Sequence, residues 1–176
     1  SLNFTGAVNV TVAPNFTDEW SGLGTNSRPM TIEMVVRPSS VVAMPLLGDG
    51  LGGPPNLWWG FSCPSGASVD LMEGSGGVTA SVTLTTPVKA NVWNHIAIEM
   101  TGSTNRVIRV WINGKYQGTA TSSVSAITTG GSDLIIGRWQ GSTQFSGQMD
   151  EIKITEELYL PQTARDFMLH PGTLPD

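Results

Sequence analysis

The acidic side chains form small clusters whose spacing decides whether they can act as catalytic pairs. The clusters are Asp150-Glu151, Glu156-Glu157 and the pair Asp70 and Glu73. Hydrolysis of a glycosidic bond needs two carboxyl groups that flank the same bond. Adjacent residues of a strand point to opposite faces of a sheet, and residues three apart diverge in the same way. The spacing therefore predicts no catalytic carboxylate pair.

Nucleophilic chemistry has no better support in the sequence. His95 and His170 are the two histidines, and neither lies near a Ser or Asp pattern that would complete a triad. Cys63 is the single cysteine, so an intrachain disulfide framework is excluded. Without a His and Asn arrangement around it, Cys63 is predicted to be a small buried thiol. We predict that the protein is not an enzyme.

Metal binding is the next chemistry to consider. Calcium prefers carboxylate and carbonyl oxygens, and Asp49 and Asp133 both lie in Gly-rich segments where they are candidate ligands. A solvated loop carboxylate explains each of them more simply. We therefore predict no cofactor and no metal, and calcium stays open as an alternative without support.

Aromatic residues suggest binding rather than catalysis. Trp58 and Trp59 are neighbours on a predicted strand, so one of them should face away from the core. Trp111 alternates with apolar residues and lies on the opposite face. Exposed aromatic rings beside polar side chains suit a sugar or a protein hot spot, whereas core packing is the simpler interpretation of any single tryptophan. The predicted ligand-binding residues are Trp58, Trp59, Trp111, Asn113 and Trp139.

Composition limits the class of partner. Charged residues make up 13% of the 176 residues, and the formal net charge is −5. No basic stripe is available to neutralise phosphates, so nucleic acid is not an expected partner. No apolar run approaches the roughly 20 residues of a membrane-spanning helix. The length predicts one domain over residues 1–176.

The elements that would position these residues are mostly strands. Three runs with period-two alternation lie between Trp93 and Thr119, and Asn113-Gly114, the strongest hairpin signal, separates the last two. They predict a three-stranded antiparallel meander. Further strands are predicted within 2–12, 30–37, 41–47, 57–61, 67–72, 78–85, 133–139 and 148–154. One short helix is predicted between Pro161 and Pro171. The pattern favours an all-β antiparallel sandwich with one short C-terminal helix.

Six short motifs, in order along the chain, resemble one family. They are LNFTG (2–6), TIEMVVRP (31–38), WNHIA (93–97), VWINGK (110–115), LIIG (134–137) and FSGQMDEIKI (145–154). Together they resemble the laminin G-like domains of the concanavalin A-like jelly-roll superfamily. The resemblance implies two antiparallel sheets in a jelly roll. It implies less about function, because this fold hosts unrelated activities.

Details of the resemblance favour binding. Glycosidases of the superfamily carry an E-x-D-x-x-E spacing, which this sequence lacks, and Thr5 and Asn9 stand where calcium-binding relatives often carry Asp. Laminin G-like domains are also frequent among phage virion proteins. We expect a non-catalytic interaction module, most concretely a virion-surface protein that decorates a capsid or fibre and contacts the host. Its partners would be other subunits of a larger assembly, with the chain itself a homo-oligomer. The alternative is a lectin-like, glycan-binding module of a secreted or cell-surface protein, located outside the cell.

Overall fold

Twelve β-strands form two sheets in the part of the chain that the structure, a computed structural model, describes. It describes residues 2–4, 10–13, 29–49, 58–74, 77–102, 105–124, 134–138, 144–156 and 158–159. The first sheet, sheet A, contains β1 (Leu2–Phe4), β3 (Met30–Pro38), β8 (Asn94–Thr101), β9 (Val107–Ile112), β10 (Lys115–Thr121) and β12 (Gly147–Thr155). The second, sheet B, contains β2 (Val10–Ala13), β4 (Pro45–Asp49), β5 (Trp58–Ser62), β6 (Ser68–Gly74), β7 (Gly77–Thr83) and β11 (Leu134–Ile136).

Both sheets are antiparallel, which confirms the predicted two-sheet jelly-roll sandwich. The strand order is β1-β12-β3-β8-β9-β10 in sheet A and β2-β11-β4-β5-β6-β7 in sheet B. One short 3-10 helix spans Pro64–Gly66. The predicted C-terminal helix, between Pro161 and Pro171, lies outside the described residues.

The predicted meander is strands β8, β9 and β10. Asn113 and Gly114 have φ values of 52° and 75°, the positive values that the tight turn between β9 and β10 requires. Ile98 pairs with Val110, and Trp111 pairs with Tyr116 across the two ladders. The alternating residues of the sequence therefore form two faces of the meander, one apolar and one with mixed polar and apolar side chains.

The core lies between the sheets and takes alternate residues from both. In sheet A, Ile32, Met34 and Val36 of β3 are almost completely buried. In sheet B, Trp59 and Phe61 of β5 face them from the other side of the core, with ring centroids 5.9 Å apart in an edge-to-face arrangement. Burial of these alternate positions is the main favourable contribution to the fold.

A buried ionic cluster, which we call the Glu73 cluster, joins the two sheets. Glu73 of β6 is the register partner of the inward-facing Trp59, and its carboxylate forms an ion pair with Arg106, just before β9. The same carboxylate accepts hydrogen bonds from Ser122 and from Thr79, the latter at 2.8 Å. Both charged side chains are fully buried. The cluster is structural, and Asp70, whose Oδ1 accepts a hydrogen bond from Ser81 Oγ at 2.5 Å, takes no part in it.

Two sequence expectations fail because of local backbone geometry. The strand predicted to begin at Val41 begins at Pro45, since Ala43 turns the chain with a φ of 51°. The strand alternation assumed for Asp150-Glu151 is broken by a β-bulge between Asp150 and Lys153, with Glu151 at a φ of 50°. A bulge re-aims the side chains that follow it. Glu151 is therefore directed to the surface that also holds Glu33 and Val35.

Candidate functional site

The outward-facing surface of sheet A carries the polar side chains that are candidates for ligand binding. The strand register identifies the residues of this surface, because the residues that alternate with them along each strand point into the core. Lys153, Glu33 and Ala97 form one row across β12, β3 and β8, and Asp150, Val35 and His95 form the next. We call this surface the outer face of sheet A.

A concavity of about 330 Å³ lies on the outer face, and we call it the Lys153 pocket. It is lined by Glu33, Val35, His95, Glu151, Ile152 and Lys153. Its volume is at the lower end of the range for small-molecule sites. Lys153 is exposed, and among the residues the structure describes no carboxylate lies within ion-pair distance of its ammonium. The lining of the pocket therefore includes one cation, two carboxylates and an imidazole.

His95 is fixed in this pocket by two groups. Its Nε2 lies 3.4 Å from Glu33 Oε2. Its backbone N–H donates to Asn113 Oδ1 at 2.8 Å, and its carbonyl accepts from the Asn113 backbone N–H at the same distance. The hairpin residue Asn113 is thus a positioning residue for the pocket, since its side-chain oxygen is occupied by the backbone.

A row of three aromatic rings continues the outer face beside the pocket. The ring centroid of Trp111 lies 4.6 Å from that of Tyr159 and 5.4 Å from that of Tyr116. The Tyr159 backbone N–H donates to Glu99 Oε2 at 3.0 Å, which holds the segment across the sheet. His95 is also a neighbour of Tyr159, at 6.4 Å between ring centroids. Tyr116 is the accessible ring, with half of its surface exposed.

The predicted binding residues differ in their exposure in the structure. Trp59 is 2% exposed and packs in the core, so its ring is not part of the protein surface. Trp111 does face away from the core, but Tyr159 and Tyr116 cover its ring and leave it 8% exposed. Asn113 is exposed at the hairpin. The structure describes only the backbone of Trp58, and Trp139 lies outside the described residues.

Glu33, Lys153 and Glu151 were not among the binding residues predicted from the sequence, although each lies at a polar position of a strand or its bulge. Alternation indicates that Glu33 faces outward, but the contact between β3 and β12 joins residues more than a hundred positions apart. Sequence spacing carries no information about that pairing. The one available signal was that β3 and β12 both carry ionisable residues and both lie within motifs of the resembled family.

Cys63 is completely buried, as the sequence predicted. Burial, with a smaller contribution from the charge of Asp70, raises the pKa of the thiol to about 12. Because the thiolate is the reactive form, Cys63 is not suited to act as a nucleophile or metal ligand in the folded protein.

Two further properties concern the described residues alone. Within these ranges no three His, Cys, Asp or Glu side chains converge as a metal site requires. Of the two calcium candidates, Asp133 falls in a range that the structure does not describe, and Asp49 is described by its backbone. The described part of the chain holds no helix of the length and apolarity that would cross a membrane.

Residues 8–162 match the family model of the concanavalin A-like lectin/glucanases superfamily, laminin G type. None of the curated proteins matches the chain by sequence.

Solved structures share the fold at low sequence identity. The CBM40 domain of Ruminococcus gnavus IT-sialidase bound to α2,3-sialyllactose superimposes with a TM-score of 0.68 at 12% identity, covering 93% of each chain. Domain 4 of an extracellular arabinanase from Geobacillus stearothermophilus, in complex with arabinotriose, gives 0.57 at 21% identity, covering 81% of this chain and 68% of that one. A heptameric SAP-like pentraxin from Limulus polyphemus gives 0.58 at 14% identity, with coverages of 80% and 70%.

Proposed function

The chain belongs to the concanavalin A-like lectin/glucanases superfamily, and we propose that it is a non-catalytic module that binds a carbohydrate in the Lys153 pocket. The observation that carries the proposal is the pocket itself, where one cation, two carboxylates and an imidazole line a single concavity. Sugars present several hydroxyl groups, and side chains of these types donate hydrogen bonds to hydroxyl groups or accept hydrogen bonds from them. Two of the structural neighbours above were solved with oligosaccharides bound, which supports the same class of ligand.

The hydrogen-bonding groups of the pocket complement those of a sugar. Lys153 supplies three donors, and the carboxylates of Glu33 and Glu151 accept. Each sugar hydroxyl donates and accepts, so it can bridge a cation and a carboxylate at once. His95 contacts Glu33 and its backbone is held by Asn113, so this part of the pocket is ordered before a ligand binds, which lowers the entropy lost on binding.

The proposal is a binding function without hydrolysis. Glu33 and Glu151 line one pocket, yet the sequence lacks the E-x-D-x-x-E spacing that marks the glucanases of the superfamily. The carboxylate of Glu151 reaches the pocket because of the β-bulge, and not through the regular alternation of the strand. Incubation of the protein with its ligand should therefore release no reducing ends.

Substitution of Lys153 tests the proposal directly. A glycan array first identifies a saccharide that binds, and titration calorimetry then measures its affinity for the wild type and for Lys153→Met. We expect Lys153→Met to weaken binding by a factor of about 10 to 150, because a hydrogen bond to a charged group contributes roughly 1.5–3 kcal/mol. Its thermal unfolding midpoint should not change, since Lys153 is exposed.

Lys115→Met is the matched control, because Lys115 is also an exposed lysine of sheet A but lies at the hairpin between β9 and β10. It should bind like the wild type. If Lys153→Met retained full affinity, or if no saccharide on the array bound at all, the proposed function would be wrong.

A second candidate is a protein-interaction role in a larger assembly, including the virion surface inferred from the sequence. Val92 and Trp93 stand next to each other at the entry to β8, with 50% and 44% of their surfaces exposed. An exposed aromatic of this kind is typical of a protein hot spot. The expectation is that the purified protein sediments as an oligomer and that Trp93→Ser makes it monomeric. A wild-type protein that sediments as a monomer at all concentrations would contradict this role.

A further inference from the structure

A second concavity, of about 260 Å³, lies on sheet A and includes Arg37 in its lining. It is lined by Asn3, Arg37, Ser39, Asn91, Ser146, Gly147 and Gln148. Asn3, Gln148 and Arg37 are register partners across β1, β12 and β3, so they continue the outer face of sheet A. Unlike the Lys153 pocket, this concavity, the Arg37 pocket, contains one cation and no carboxylate.

The guanidinium of Arg37 is held in place from two sides. Its Nε donates to the Asn91 carbonyl and its Nη1 donates to Gln148 Oε1, both at 3.3 Å. These bonds use two of the five N–H groups of an arginine and leave the others on Nη1 and Nη2. Among the described residues no carboxylate lies within ion-pair distance of Arg37. The two acceptors that hold Arg37 are neutral, so its remaining N–H groups can donate to an anionic ligand.

The walls of the Arg37 pocket are built by the backbone of β3 and β12. A Cβ at Gly147, where φ is +138°, would lie 2.3 Å from the Arg37 carbonyl oxygen, so only glycine allows this close approach. The Ser39 and Ser146 hydroxyls lie 2.6 Å apart, and the Ser39 N–H donates to the Ser146 carbonyl at 2.8 Å. The hydroxyls of Ser39 and Ser146 and the amides of Asn91 and Gln148 therefore line the same concavity as the guanidinium.

The two pockets lie along one strand. Val35 lines the Lys153 pocket and Arg37 lines the Arg37 pocket, and these residues are two apart on β3. Two residues of a strand cover about 7 Å, and the span from Glu33 to Arg37 covers about 14 Å. One extended ligand can therefore occupy both pockets.

We propose that the Arg37 pocket binds the carboxylate of an acidic sugar residue, adjacent to the sugar unit that occupies the Lys153 pocket. The inference rests on the proposed carbohydrate-binding function and specifies its ligand as an acidic oligosaccharide. A carboxylate matches the planar geometry of a guanidinium, which can donate two parallel hydrogen bonds to it. The amide of Gln148 and the neighbouring hydroxyls are placed to bind the hydroxyl groups of the same residue.

The test uses a panel of acidic oligosaccharides, such as oligogalacturonates, each paired with its carboxyl-reduced neutral counterpart. Titration calorimetry compares the wild type with Arg37→Gln at low and at physiological salt. We expect the wild type to bind the acidic member of a pair about tenfold more tightly than the neutral member. Arg37→Gln should remove this difference, so that the two members of a pair bind with equal affinity. Because the contact is exposed, the preference should decrease as salt is added.

Arg109→Gln is the control, since Arg109 also lies on the outer face but is already paired with Glu99. It should keep the preference for the acidic sugar. Equal affinity of the wild type for both members of every pair would overturn the inference, as would an Arg37→Gln variant that keeps the preference, and either result leaves the proposed function standing. Failure of every saccharide to bind would overturn the proposed function and this inference together.

Discussion

Replacement of Arg106 by methionine is expected to lower the free energy of unfolding by about 3–5 kcal/mol, because it leaves a buried charge without its partner. The Glu73 carboxylate is fully buried between the sheets, and Arg106 is the cation that pairs with it. Ser122 and Thr79 also donate to this carboxylate, but neutral donors do not compensate for the lost charge. Urea unfolding followed by far-UV circular dichroism measures the change.

Two further variants separate the ionic cluster from simple packing. The double variant Glu73→Leu with Arg106→Met should recover much of the lost stability, because a buried ion pair can often be replaced by apolar residues at little cost. Arg37→Gln should unfold like the wild type, since Arg37 is exposed. An Arg106→Met variant that is as stable as the wild type would contradict the structural role assigned to the cluster.

Replacement of Trp59 by alanine is expected to destabilise the protein by about 3–5 kcal/mol, the usual cost of truncating a large aromatic ring in a core. The ring is 2% exposed and packs edge to face against Phe61. The residual cavity would lie between the sheets, where the flanking strands cannot close it. Thermal unfolding followed by circular dichroism, which does not depend on the removed fluorophore, measures the loss.

Trp93→Ala provides the comparison, because Trp93 is 44% exposed. Its effect should be within about 0.5 kcal/mol, as is usual for surface substitutions. A Trp59→Ala variant that keeps the wild-type midpoint but loses binding would support the original sequence interpretation of Trp59 and contradict its place in the core.

The sequence predicted the architecture because the relevant signals are local. Alternation in β3, β8 and β9 and the Asn113-Gly114 turn each require only neighbouring residues. The site was predicted less well, since a ligand site depends on contacts between distant strands. Trp111 illustrates the point, because its own strand shows that it faces away from the core. Whether that face is open or covered depends on Tyr159, almost fifty residues later.

Local exceptions to regular structure account for the remaining errors. Strand alternation predicts that Asp150 and Glu151 diverge, and it fails because the bulge in β12 inserts residues into the ladder. Nothing in the spacing of Asp70 and Glu73 indicates that Glu73 turns inward to a buried arginine. The pairing of Glu73 with Arg106 is a tertiary contact over 33 residues, and only the packing of the two sheets determines it.

The central claim is that a carbohydrate binds on the outer face of sheet A, at the Lys153 pocket. Backbone ¹H–¹⁵N chemical-shift mapping, with the best saccharide from the array as titrant, tests it most directly. We expect saturable shifts that cluster at Glu33, Val35, His95 and the bulge residues Glu151–Lys153, with amides of sheet B unaffected. Saturable shifts confined to sheet B, or none in the outer face of sheet A at full saturation, would contradict it.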